Sequence, residues 1–274
     1  MSEGETARRS VLVAIAGLGG PKPRGARFAI ITGASAGLGL ALARRLVADG
    51  WMVLGVDRDQ AAVSDEGYRH VRCDLADPEQ VDALAAELAR GGDVLDRLDL
   101  VVMCAGVSAT GRFEAIPADA HARVLAINAE APLVLGDALL GAGWSRGTLV
   151  LVASLSVDVG YPGAASYAAS KDALAAYGRS IGKARRSPRV LTVLPGPTRT
   201  EHAARHAPAG ASDAARMNPD DLAKRILRAV GRGARVLRPG LAARIAGRAG
   251  RLAPGLTAWL MRRGLFEKLD RAVW

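Results

Sequence analysis

Arg27-Phe-Ala-Ile-Ile-Thr-Gly-Ala-Ser-Ala-Gly-Leu-Gly39 is the stretch that decides how this chain folds. A short aliphatic run ending at Thr32 reads as a buried strand, and residues 38–49 carry a helical period that stops at Gly50. Between them Gly33, Gly37 and Gly39 permit a tight turn. Strand, turn and helix in that order aim backbone N–H groups and a positive helix end at one point, which suits a pyrophosphate. Ser35, Ala36 and Leu38 belong to the same bed. The chain has 32 glycines, so the triplet gains weight only from its placement and from the acid that closes the next strand. That acid is Asp57, after the apolar run 52–56. A carboxylate there accepts both hydroxyls of an adenosine ribose and repels a 2′-phosphate. Arg58 beside it would tolerate one, so NAD is favoured and NADP stays open.

Working outward, residues 69–73, 98–104, 148–153, 190–194 and a short 235–237 read as further strands. Residues 78–90, 117–140, 166–186 and 219–230 read as helices. Unbroken aliphatic strands alternating with amphipathic helices predict an α/β fold: a doubly wound parallel sheet of about seven strands with helices on both faces. Ligands of such sheets bind beyond the strand carboxyl ends, where the turns named above fall.

Tyr167 and Lys171 lie four residues apart in Ser166-Tyr-Ala-Ala-Ser-Lys171, and Ser154 precedes the tyrosine by thirteen. On a helix that spacing puts lysine and tyrosine on one face. An ammonium about 4 Å from a phenolate, at an effective dielectric near 20, is worth roughly 4 kcal/mol. That would bring a phenol from about 10 towards about 7, within reach of acid/base work. The Ser154 hydroxyl could hold the substrate oxygen; Ser156 is a rival, but Ser154 ends the predicted strand.

Taken together, the glycine turn, Asp57, Asp74, Cys104-Ala-Gly106, Asn128, Ser154, Tyr167-Ala-Ala-Ser-Lys171 and Pro195-Gly-Pro-Thr-Arg-Thr200 resemble the short-chain dehydrogenase/reductase family, in its Rossmann-like form, over residues 27–238. The resemblance implies an NAD(P)-dependent oxidoreductase acting on a secondary alcohol or ketone. It assigns Tyr167 as general acid/base, Lys171 as its activator and holder of the nicotinamide ribose, and Ser154 as the orienting donor. Asn128 would hold a relay water. It places Asp74 and Leu75 at the adenine, Ala105 and Gly106 along the cofactor channel, and Pro195, Gly196, Thr198 and Thr200 near the carboxamide. One departure stands out: the family's Asn-Asn-Ala-Gly after the fourth strand is Met103-Cys104-Ala-Gly here, which removes a side chain that normally braces the sheet. Cys104 reads as a small packed residue. The competing reading is a non-catalytic dinucleotide sensor, or a scaffold recruited to a membrane or partner, on the same fold. Family members pair through the two long helices, so a homodimer or homotetramer is expected.

At 274 residues, half apolar and 4% aromatic, the chain fits one domain with an appendage. Two cysteines, Cys73 and Cys104, form no disulfide framework or zinc site, and no metal is expected. No run of about 18 apolar residues is apparent, and a reducing, cytoplasmic setting is expected. The net charge is +10, but ten Arg and Lys against two acids fall in 231–274. The rest is near neutral and does not suggest a nucleic-acid binder. Three parts follow: an extension over 1–26, whose Arg8-Arg9 and following apolar residues have an export look outweighed by the dinucleotide chemistry; the oxidoreductase body over 27–238; and a basic, amphipathic helical appendage over 239–274. The appendage is expected to fold over the substrate cleft or a subunit interface, with attachment to an anionic membrane surface as the sharper alternative. His202 and His206, in the loop after the sixth strand, are expected to face solvent. The substrate is expected to be uncharged and fairly apolar.

Overall fold

Successive side chains of strand β1 (Phe28–Thr32) enter two different cores, which is why all five residues are buried. Phe28 and Ile30 pack with Leu54, Val101 and Leu149 on one face. Ala29 and Ile31 pack with Val53, Leu100 and Val150 on the other. A strand apolar on both sides belongs inside a sheet covered on both faces, and the computed structural model has that architecture. It describes residues 27–91, 93–206, 216–264, 266–269 and 272–274; the extension over 1–26 and the middle of the loop after the sixth strand lie outside them.

The other strands are β2 (Met52–Asp57), β3 (Tyr68–Arg72), β4 (Leu98–Met103), β5 (Thr148–Val152), β6 (Arg189–Val193) and β7 (Val236–Leu237). All pair in parallel in the order β3-β2-β1-β4-β5-β6-β7. The order reverses between β1 and β4, so the crevice opens beyond their carboxyl ends. Helix α1 (Gly37–Ala48) covers one face with α9 (Pro219–Gly231) through Leu42, Leu46, Leu222 and Ile226. Helix α2 (Pro78–Ala89), started by Asp77 accepting from the Glu79 and Gln80 amides, covers the other with α5 (Ala131–Gly141) and α7 (Ala165–Ala184). Short helices α3 (Asp93–Asp96), α6 (Ser156–Val159) and α8 (Glu201–Arg205) lie in connections that sequence periodicity is too brief to reveal.

The predicted long helix over 117–140 is interrupted. Helix α4 (Ala118–Leu125) passes through a π turn (Ala126–Glu130) into α5. Pro132 lacks the N–H that would bond the Asn128 carbonyl in an α-helix, so the ladder is reset at that point. Contrary to the sequence expectation, the combined stretch Ala118–Gly141 is long and apolar enough to cross a membrane by length and composition. Its Ile127, Ala131, Leu135 and Leu139 instead fill the core. Beyond β7 the appendage forms α10 (Leu241–Leu252) and α11 (Pro254–Gly264).

Candidate active site

The glycine turn works by close approach. Gly33 and Gly37 adopt φ of 72° and 51°, where a side chain is strained. A Cβ on Gly39 would stand 2.0 Å from the Gly33 carbonyl oxygen, and one on Gly33 would stand 2.8 Å from Ala105 Cα. The turns after β1 and β4 therefore touch. From a third loop, Thr200 brings Cγ2 to where a Cβ on Gly37 would be 3.1 Å away. Thr32 Oγ1 accepts the amides of Cys104 at 3.0 Å and Ala105 at 3.1 Å, so the brace that Met103-Cys104 does not provide comes from the neighbouring strand. The sequence reading missed Thr32; its signal was a hydroxyl closing a buried strand. Burial pushes the Cys104 thiol up to about 12, against the pull of Lys171, which fits a packing role.

Asp57 is tied into this turn. Its carboxylate accepts from the Ser35 amide at 2.9 Å and the Asp59 amide at 3.1 Å. Arg58 is exposed at the rim. Asp74 accepts from the Ala76 amide at 2.9 Å and from Arg123 at 3.2 Å, while the Leu75 side chain turns into the core. The Pro195 carbonyl accepts the Leu155 amide at 2.9 Å and Gly196 lies beside the Leu155 side chain, while Thr198 runs alongside Met217, which pairs with Pro197 and Arg199 by backbone bonds of 3.0 and 2.8 Å. Thr200 then caps α8 by accepting the Ala203 amide at 3.1 Å. Ser35 Oγ is buried and has no hydrogen-bond partner among the described residues. An orphaned hydroxyl in a bed of positive-φ glycines fits a phosphate-bearing ligand.

Tyr167, Ser170, Lys171, Leu174 and Gly178 form one stripe of α7. Gly178 seats the helix close to the sheet, since a Cβ there would be 2.8 Å from Leu151 Cδ1 and Thr192 Oγ1. Lys171, 4% exposed, donates from Nζ to the Val152 carbonyl at 3.0 Å. Its Nζ lies 5.7 Å from the centre of the Tyr167 ring. The shared face is real, but a strand carbonyl claims the lysine. Burial accordingly pushes Tyr167 above 10, with a hydrogen bond from Ser154 pulling it down. Burial also lowers Lys171 to about 8. Ser154 Oγ further accepts the Ser156 amide at 3.1 Å, and Ser156 is turned inward, so Ser154 is the serine facing Tyr167.

Asn128, wholly buried in the π turn, accepts the Val107 amide at 2.8 Å and donates to the Val107 carbonyl at 2.9 Å and to Ser170 Oγ at 3.0 Å. Ser170 Oγ donates in turn to the Tyr167 carbonyl at 2.7 Å. Ser170, three residues after Tyr167, was legible from spacing and was missed. A Cβ on Gly106 would stand 3.1 Å from Lys171 Nζ and 3.3 Å from Asn128 Oδ1, so this glycine keeps the space between the two polar groups open.

On the substrate side, Tyr161 meets Tyr167 edge-on, with ring centres 6.3 Å apart. The two histidines are not solvent-facing as expected. His206 is buried with Nδ1 3.1 Å from Thr110 Oγ1, and His202 lies 4.5 Å from it, centre to centre. Helix α8 turns both inward, and burial followed by the neighbouring His206 lowers His202 to about 4. The chain end returns over the crevice. Thr110 and Val273 exchange two backbone bonds of 2.8 Å, and Ala272 packs with Ala109, Ile116, Val124 and Tyr167. The appendage is also fastened near Ser154, where Asp158, held by Arg238 at 2.7 and 3.0 Å, takes Arg251 of α10 at 3.6 Å.

With this geometry in place, comparison with known proteins is decisive. The profile of the short chain dehydrogenases matches residues 27–209. The chain belongs to the short-chain dehydrogenase family. Among curated relatives of this short-chain dehydrogenase, an L-xylo-3-hexulose reductase of Hypocrea jecorina is 34% identical over 208 residues, covering 64% of this chain and 68% of the relative. A solved short-chain dehydrogenase from Streptomyces avermitilis superposes with a TM-score of 0.72 at 25% identity, covering 89% of this chain and 97% of the other. One from Burkholderia cenocepacia, solved in complex with NADP, gives 0.69 at 25% identity, covering 86% and 97%. The fold and the family are those that the glycine turn and the tyrosine–lysine pair indicated. The protein is an oxidoreductase.

Proposed function

We propose that this short-chain dehydrogenase moves a hydride between a nicotinamide dinucleotide, NAD in preference to NADP, and an uncharged, fairly apolar secondary alcohol or ketone. The observation that carries the reading is the grouping of Tyr167 with the buried Lys171 and with Ser154, which pulls the phenol down against its burial. The glycine turn with Ser35 and Asp57 would hold the adenosine end, and the loop from Pro195 to Thr200 the other. The nicotinamide, when bound, supplies or takes the hydride. Ser154 Oγ holds the substrate oxygen. Tyr167 gives that oxygen a proton in reduction and takes it in oxidation. Lys171 steadies the phenolate, and the space that Gly106 leaves beside Asn128 admits a water to resupply the proton. The apolar wall of Ala109, Ile116 and Ala272 supports an apolar substrate. Self-association through the two long helical stretches, α4–α5 and α7, is part of the same reading.

The test is turnover of purified enzyme with NAD and NADP across secondary alcohols and ketones, with Tyr167→Phe alongside. The variant should lose about 10²- to 10⁴-fold in rate while dinucleotide binding changes by a few fold at most. Undiminished turnover in Tyr167→Phe would overturn the assignment.

A further inference from the structure

Helix α10 wears its amphipathic faces inside out. It rests on the body through small residues, Ala243, Gly247 and Gly250. The fit is close: a Cβ on Gly250 would stand 2.1 Å from the Asp158 carbonyl oxygen, and one on Gly247 would be 2.7 Å from the Asp158 carboxylate. Leu241, Ile245 and Leu252, on the opposite side, are 68%, 59% and 84% exposed. A surface helix ordinarily turns its large aliphatic side chains to the core. Helix α11 adds Leu256, Trp259 and Leu260, each at least half exposed, and buries none of its own residues. Of the ten large apolar side chains exposed among the described residues, eight lie at or beyond Val236. The apolar surface is a property of the appendage and marks it for contact.

Beside this face a groove of about 510 Å³ runs between α9, β7 and α10. Arg225, Arg228 and Arg232 line it from α9, and Arg244 and Arg248 from α10. None of these five is in an ion pair among the described residues. Arg238 and Arg251 also line it and are held by Asp158. Residues 241–264 contain no acid. A second copy of this chain would bring a like-charged face against this one, so self-pairing is opposed by charge. The complement of an acid-free arginine groove beside exposed Leu, Ile and Trp is a surface with phosphates outside and hydrocarbon just beneath.

We propose that α10, α11 and the arginine groove form a docking surface for an anionic lipid bilayer. The stripe Leu241, Ile245, Leu256, Trp259 and Leu260 enters the interface, and the arginines meet the headgroup phosphates. Because α10 is fastened to Asp158, four residues past Ser154, and the chain beyond α11 returns to Thr110, docking sets the rim of the crevice against the membrane. This does not depend on the redox assignment.

The test is co-sedimentation of the full-length protein with phosphatidylcholine vesicles, with and without phosphatidylglycerol. The protein is expected to bind the anionic vesicles and to be released by high salt, since each arginine near the surface is worth about fivefold in partitioning. Ile245→Glu with Trp259→Glu, and separately Arg244→Glu with Arg248→Glu, should each weaken binding at least tenfold with an unchanged melting temperature and unchanged dinucleotide binding. Failure of the full chain to bind anionic vesicles at low salt would overturn the proposal, as would retained binding by both variants. Sedimentation velocity completes the test: a dimer that the Ile245/Trp259 variant abolishes, without vesicle binding, would assign the face to a second copy and overturn the lipid assignment.

Discussion

The Lys171 ammonium lies 5.7 Å from the centre of the Tyr167 ring and donates to the Val152 carbonyl at 3.0 Å. The buried charge is thus fixed beneath the tyrosine and held by one strand carbonyl. Lys171 sits at about 8, below the ordinary 10.5. Between pH 8 and 10.5 the unfolded chain binds a proton that the folded protein does not, so stability rises with pH across that window. Below it the buried ammonium costs about 3 kcal/mol. Lys171→Met removes that cost. Relative to wild type, the variant should therefore be most favoured at pH 7, and its advantage should shrink towards pH 10. Urea unfolding of the dinucleotide-free protein at both pH values measures the difference, and a gap independent of pH would refute this account.

Ser154 should matter to the proton as well as to the substrate. Its hydrogen bond opposes the burial that raises Tyr167. Alcohol oxidation needs the phenolate and speeds up as pH rises through the Tyr167 titration, while ketone reduction needs the phenol and slows. Ser154→Ala should move both limbs to higher pH in addition to lowering the rate. Rate profiles in the two directions read this out, and a lower rate with unmoved limbs would leave Ser154 as a substrate contact only.

Asp57 holds the Ser35 and Asp59 amides while presenting negative charge at the end of β2. Asp57→Ser removes the charge that repels a 2′-phosphate and leaves Arg58 exposed beside it. The ratio of kcat/KM for NADP to that for NAD should rise about tenfold or more. An unchanged ratio would mean that this carboxylate serves only to shape the glycine turn.

Thr32 is a prediction about stability that also reaches the dinucleotide. Thr32→Val keeps the shape and leaves the Cys104 and Ala105 amides without their acceptor. The cost is about 2–4 kcal/mol, read as a lower urea midpoint. Dinucleotide affinity should fall because Ala105 abuts Gly33. Thr32→Ser, which keeps the oxygen, should recover most of both.

Much of this was open to a reader of the sequence because local chemistry dictates it. The positive-φ turn at Gly33 and Gly37, the Asp57 that closes β2, and the stripe of Tyr167 and Lys171 on α7 all follow from spacing within single segments. What escaped the reading came from contacts between segments. Thr32 bracing β4, Asn128 reset by Pro132 and bonded to Val107, and the inward turn of His202 and His206 each join residues distant in the chain, which no local period encodes. The appendage divides the same way. Its arginines and apolar stripe were visible in the sequence, but only packing shows that its small residues face inward and its large ones face water.

The sequence by itself determined a parallel α/β sheet, a dinucleotide bed and a tyrosine–lysine–serine set, because these rest on periodicity and on residue types confined to short stretches. The tertiary structure decided where the lysine's proton points, what braces the turn after β4, and which face of the appendage is free. Those depend on which polar group reaches a buried partner first, and burial makes that choice costly to reverse.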